Sequence, residues 1–158
     1  MSQATSVRPA GKARSQRMLD SVMRSMLRSP LHGMVSKKML IVTVRGRKTG
    51  KVYSNPVGYV ESDGFLLIGT AAGWRRNLRS GEPVSITWRG RDTTADCEVI
   101  RAEEQIAEPY RIIIKGNPAH SRHSGINLDS DGNVNPDELR RALAKGTAVV
   151  RLRPRQAA

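Results

Sequence analysis

The sequence predicts a mainly β domain with flanking helices, an α+β arrangement built round a small antiparallel barrel. Three observations carry this. Five extended runs follow one another within about 60 residues, mostly joined by hairpin turns, which favours an antiparallel barrel over an α/β sheet. The C-terminal third then turns to helical periodicity, and the chain returns to an extended run, TAVVRLR, as a sixth strand that completes the barrel. Finally, 158 residues make one ordinary domain, long enough to bury a continuous core without disulfides or metals.

Taken in order, residues 1–15 are polar, basic and without period, the composition of a disordered tail. In residues 16–29, Met18, Leu19, Val22, Met23, Met26 and Leu27 recur as pairs four apart, with Arg17, Asp20, Arg24 and Arg28 between them. This spacing predicts an amphipathic helix ended by Pro30. Its apolar face packs on the barrel or on a dimer partner, or else the helix lies on an anionic membrane surface. After a linker come the strand MLIVTVR, a basic hairpin and the strand KVYSNPVGYV, then an ESDG turn and FLLIGTA, apolar enough to be buried on both faces. WRRNLRS, residues 74–80, forms a short helical turn closed by Gly81. PVSITWRG and TTADCEVIRA then pair through Gly90, Arg91 and Asp92. EEQIAEPYRIIIKG is a helix interrupted by Pro109, a polar loop follows, and PDELRRALAKG is a helix with proline at its start and glycine at its end. The domain thus spans 16–155, with 156–158 as a second tail.

The formal net charge is +13 and the pI about 11.0, so acidic polymers, anionic lipid surfaces and phosphorylated ligands are all attracted at low salt. The charge is uneven: residues 1–38 carry eight Lys or Arg against Asp20 alone, whereas residues 96–108 carry five acids. The lone Cys97 excludes an intramolecular disulfide, and there is no apolar h-region and no run near the roughly 20 residues of a spanning helix. A cytoplasmic protein is expected, membrane-associated only through residues 16–29.

The hairpin LIVTVRGRKTGKVYSNP gathers Arg45, Arg47, Lys48 and Lys51 at its tip. Like charges held close repel, so either water screens them or an anion, such as the phosphate of a ligand, sits among them. In GTAAG, residues 69, 71, 72 and 73 are too small to fill a core by themselves; either something else occupies the space or the small residues allow a helix to pack closely on the strand. NLDSDGNVNPDE matches the spacing of a calcium-binding EF loop, with Asn127, Asp129, Asp131 and Glu138 as ligands. Against that, its first position is Asn, the segment before it is not helical, and a turn leading into a helix with acids in its first turn needs no ion. The expected metal set is none. His120 and His123 read as surface histidines, without a third ligand for zinc.

Three motifs together resemble the deazaflavin-dependent nitroreductase family. They are GRKTGK at 46–51 followed by Asn55 and Pro56, GTAAG at 69–73 leading into WRRNL, and the closing VVRLRP strand. The resemblance spans roughly residues 35–155 and implies the split β-barrel fold of flavin-binding proteins. It implies the deazaflavin coenzyme F-420 as cofactor, with flavin mononucleotide (FMN) as the alternative. Arg47 and Lys48 become charge-assisted donors to its phosphate and acidic tail, Thr49 a hydroxyl donor and Arg76 a second anion contact. Asn55, Pro56, Ala71, Gly73, Trp74 and Asn77 complete the cofactor pocket, and Thr70, bonded to a ring edge, is the catalytic candidate. Prodrug-reducing members carry an aromatic residue two positions after that proline and a C-terminal tyrosine cluster. Here stand Gly58, with Tyr59 facing the other way, and a single Tyr110.

Two function classes follow. One is a deazaflavin-dependent oxidoreductase, like a nitroreductase or quinone reductase, that moves a hydride between cofactor and a small organic substrate; the absence of a triad or carboxylate pair suits a cofactor that carries the chemistry. The other is a non-catalytic flavin-like ligand binder or a basic nucleic-acid-binding barrel. Nucleic acid is disfavoured because six aromatics in the chain offer few stacking platforms.

Overall fold

The computed structural model describes residues 38–155. The expected helix at 16–29 and the two tails lie outside them. The strands are β1 (Met39–Arg45), β2 (Val52–Gly58), β3 (Val60–Ser62), β4 (Phe65–Thr70), β5 (Val84–Trp88), β6 (Arg91–Ile100) and β7 (Ala148–Pro154). The helices are a 3-10 turn (Gly73–Asn77), α1 (Glu103–Gly116), α2 (His120–Ser124) and α3 (Pro136–Ala144). All strands pair antiparallel in one sheet, in the order β2-β1-β5-β6-β7-β4-β3.

That order forces the sheet to curl. Strands β2 and β3 are its two unpaired edges, yet only Tyr59 separates them along the chain, so the sheet must bend into a half-barrel that brings the end of β2 to the start of β3 and leaves the outer edge of β2 open. Tyr59 marks the seam: its N–H donates to the Lys38 carbonyl at 3.0 Å, and its buried hydroxyl accepts from Trp88 Nε1 at 3.0 Å. The stretch 51–60, expected as one strand, is therefore two, and the sheet has seven strands rather than six. Pro56, with no N–H to give, sits on the edge strand β2, where the ladder tolerates it.

Curling creates two cores that share the sheet. Inside the barrel, Leu40, Val42, Leu66, Ile68, Ile86, Val150 and Leu152 meet. On the outer face, Leu67, Ile100 and Val149 meet Ile106, Tyr110, Ile113 and Ile114 of α1 and Leu139 and Ala142 of α3. Strand β4 thus sends Leu66 and Ile68 inward and Leu67 outward, which is why it carries no polar alternation. Cys97 lies in the barrel core, where burial pushes its thiol up to about 11 and keeps it unreactive at neutral pH.

Three local expectations are corrected. The β5–β6 turn is the pair Arg89 and Gly90, both left-handed (φ 51° and 75°), and Arg91 and Asp92 already belong to β6. Helix α1 runs unbroken through Pro109, because Ile106, Tyr110, Ile113 and Ile114 bury one continuous stripe. The polar loop contains α2, closed by Gly125 in the left-handed region.

Candidate functional site

The site is assembled from the β1–β2 hairpin and the 3-10 turn. At the hairpin tip, Gly46 N–H donates to Lys51 O at 2.7 Å and Gly50 N–H to Gly46 O at 2.9 Å, with Gly50 at φ 67°. Arg45 Nη1 donates to Gly50 O at 3.0 Å, so this arginine braces its own turn. A Cβ on Gly46 would lie 3.0 Å from both Thr49 Oγ1 and Tyr53 Cε2, which leaves little room for any other residue. Arg47 ties the tip to the 3-10 turn: its N–H donates to Asn77 Oδ1 at 3.3 Å and its Nη2 to Leu78 O at 3.4 Å. Thr70 Oγ1 accepts from Ala72 N–H at 3.0 Å and fixes the way into that turn.

Between hairpin and turn opens a cleft of about 570 Å³ lined by Gly46, Arg47, Lys48, Thr49, Tyr53, Asn55, Gly73, Trp74, Arg76 and Asn77. Eight of the residues singled out in the sequence come together here. Pro56, Thr70 and Ala71 are not among the lining residues. Tyr53 is the addition. It stands two residues before Asn55 on β2, hence on the same face, and that alternation was the available signal. Tyr53 and Trp74 pack their inner sides on the barrel core, and Asn55 Nδ2 donates to Val42 O at 3.3 Å.

Charge sorting makes the cleft basic. Four of the five acids of residues 96–108 pair away from it: Asp96 with Arg155, Glu98 with Arg151, Glu103 with Arg140 and Glu108 with Arg111. Among the described residues no carboxylate pairs with Lys48 or Arg76. The cleft therefore presents two uncommitted cations beside two half-buried aromatic rings, a donor set suited to an anionic heteroaromatic molecule.

A family model, that of the F420H(2)-dependent quinone reductases, matches residues 16–128. The chain belongs to this family. As a member of the F420H(2)-dependent quinone reductases it is an oxidoreductase that uses a deazaflavin, and the cations, hydroxyl and aromatic faces of the cleft fit that cofactor. No curated protein sequence matches the chain significantly. Solved structures share its fold. One, a domain-swapped dimer, aligns with a TM-score of 0.50 at 13% identity over 90% of this chain and 99% of that one. Another, a candidate 5-nitroimidazole antibiotic resistance protein from Bacteroides thetaiotaomicron VPI-5482, aligns with a TM-score of 0.51 at 12% identity over 89% and 80% of the two chains.

Elsewhere the structure assigns other work to sequence candidates. The space beside Gly69 is filled by the chain itself: a Cβ there would lie 2.7 Å from His120 Nε2 and 2.9 Å from Tyr110 Oη. Of the two readings of the small residues, close helix packing holds at this position. Tyr110 Oη and His120 Nε2 are hydrogen-bonded at 2.9 Å; burial raises the Tyr110 pKa, and burial followed by the nearby His123 lowers that of His120. In the EF-like loop, the Glu138 carboxylate accepts from Asn127 N–H at 2.7 Å and from its Nδ2, while Asp129 Oδ1 accepts from Asp131 and Asn133 N–H at 2.9 Å each. These oxygens hold the loop, and no group of three or more His, Cys, Asp or Glu converges on a metal position among the described residues. No described helix is long and apolar enough to cross a membrane.

Proposed function

We propose that this oxidoreductase holds its deazaflavin in the cleft between the hairpin and the 3-10 turn and reduces a small organic acceptor of quinone or nitroaromatic type. The observation that carries the reading is that Lys48 and Arg76, cations without a described carboxylate partner, line the same pocket as Tyr53 and Trp74. When bound, the cofactor supplies the hydride; the chain supplies orientation, charge and a dry wall. Lys48 and Arg76 engage the phosphodiester and glutamyl carboxylates, and Arg47, already anchored on Leu78 O, keeps the hairpin at a fixed distance from the turn. Thr49 retains a hydroxyl proton to donate, since its oxygen accepts from Lys51 N–H at 3.3 Å. Asn55, Gly73, Trp74, Asn77 and the added Tyr53 shape the ring pocket. Thr70 and Ala71 shape the turn below it, and no catalytic acid or base is assigned to the chain.

FMN is the weaker ligand on this reading. It offers one phosphate, whereas the deazaflavin offers several negative charges in a row. Each charge-assisted hydrogen bond is worth roughly 1.5–3 kcal/mol, so one extra contact gives about a tenfold preference or more. A homodimer also fits, through the exposed edge strand β2, where Val52 is 57% exposed. Lys48→Glu tests the site by fluorescence titration with the reduced deazaflavin. A loss of about tenfold or more in affinity is expected, with the melting temperature unchanged because the tip is exposed. Unchanged affinity would return the hairpin to a solvated turn, and equal binding of FMN would remove the electrostatic argument for the deazaflavin.

A further inference from the structure

On the far side of the 3-10 turn lies a second cleft of about 760 Å³, sharing the walls Arg47 and Arg76 with the first and lined beyond them by Arg75, Arg79, Arg101 and Lys145. Arg75 sets it apart. The side chain is only 5% exposed, yet no described carboxylate meets it. Nη2 donates to the Gly146 carbonyl, and its buried Nε has no hydrogen-bond partner among the described residues. Gly146, at φ 100°, lets the chain reach this guanidinium; a Cβ there would lie 3.1 Å from Nη2. The charges around Arg75 are of its own sign. Burial first, and then the charges of Arg101 and Arg76, push its pKa below the usual guanidinium value. Lys145 follows α3, whose C-terminal carbonyls bring about half a unit of negative charge, far short of the cations assembled. Of these cations only Arg79 forms an ion pair among the described residues, with Glu82 at 3.9 Å on the exposed surface. A buried guanidinium with an unused donor, facing further cations, is unfavourable unless a ligand supplies the negative charge.

We propose that this second cleft is an oxyanion subsite, centred on Arg75 and closed by Arg101 and Lys145, that binds a phosphate or carboxylate group. Two sources carry that chemistry: a free anion such as phosphate, or the distal carboxylates of a cofactor bound in the first cleft and reaching past Arg47 and Arg76. The second source rests on the proposed function; the first does not.

The test uses the full chain and the double variant Arg101→Gln/Lys145→Gln, both positions exposed and outside the first cleft. Thermal unfolding is followed against inorganic phosphate, with chloride at matched ionic strength as reference. The wild type is expected to gain a saturable, phosphate-specific rise in melting temperature, and the variant to need about tenfold or more phosphate for the same rise, as loss of a charge-assisted contact implies. Calorimetry with deazaflavin carrying or lacking its glutamyl groups then separates the sources. If the tail reaches the subsite, it competes with phosphate and its affinity advantage collapses in the variant. If a free anion is the ligand, phosphate binds equally with or without cofactor. Loss of cofactor affinity in Lys48→Glu with phosphate binding intact would separate the two clefts. A wild type indifferent to phosphate and to the glutamyl groups, or a variant that responds like wild type, overturns the proposal.

Discussion

Gly69 shows how a single residue can be visible in a sequence while its reason is not. The run from Gly69 to Gly73 announces missing volume, but whether a ligand or the chain fills it depends on Tyr110 and His120, which only the tertiary fold brings there. Gly69→Ala is accordingly expected to destabilise the fold by about 1–3 kcal/mol, the cost of overpacking, measured by denaturant unfolding. An unchanged midpoint would mean that His120 swings away freely. His120 also sets a pH dependence. Its folded pKa is lowered, so below the ordinary histidine value of about 6.5 the unfolded chain binds the proton more readily than the folded one. Stability should therefore fall as pH drops through that value, until the folded ring is protonated too, and His120→Gln should flatten the decline. An identical slope in the variant would assign it to other groups. The same limit hid Arg75. Arg75, Arg76 and Arg79 are alike in sequence, and only the phase of the 3-10 turn buries the first while leaving Arg76 exposed.

Elements were legible wherever backbone chemistry is local. The glycine turns, the doubly apolar β4 and the proline-started α3 follow directly from residue type, and Asn135 caps α3 by accepting from Asp137 and Glu138 N–H at 3.1 and 3.2 Å. Pro109 misled because its local penalty is real but outweighed. It lacks the N–H that would meet the Gln105 carbonyl, yet the buried stripe of α1 holds the helix across the gap. Pro109→Ala should therefore stabilise the protein, by about 1–3 kcal/mol given the helix propensities of the two residues. Chemical denaturation followed by circular dichroism measures this. A loss of stability would show that the proline ring contributes packing beyond its backbone cost. The break at Tyr59 was illegible for the opposite reason: the curl of the whole sheet, not a local signal, divides the strand there.

At the scale of the molecule, barrel and helices are expected to unfold as one unit, because strands are shared between their cores. In β7, Val149 faces the helices while Val150 and Leu152 face the barrel; in β4, Leu67 faces the helices while Leu66 and Ile68 face the barrel. Neither core can be lost while the other keeps both faces of those strands covered. The two tryptophans report only one side, since Trp74 and Trp88 both pack on the barrel core, whereas the described α-helices α1, α2 and α3 lie on the other and contribute to the ellipticity. Equilibrium unfolding followed by tryptophan fluorescence and by ellipticity should consequently give coincident transitions with one midpoint and one slope. Truncating either core should move both probes together: Leu152→Ala inside the barrel and Ile113→Ala under the helices should each cost about 2–5 kcal/mol. If Ile113→Ala shifted the ellipticity curve and left the fluorescence curve in place, the helices would be an independently melting layer, and the sheet would not be the mechanical link between the site and the outer core.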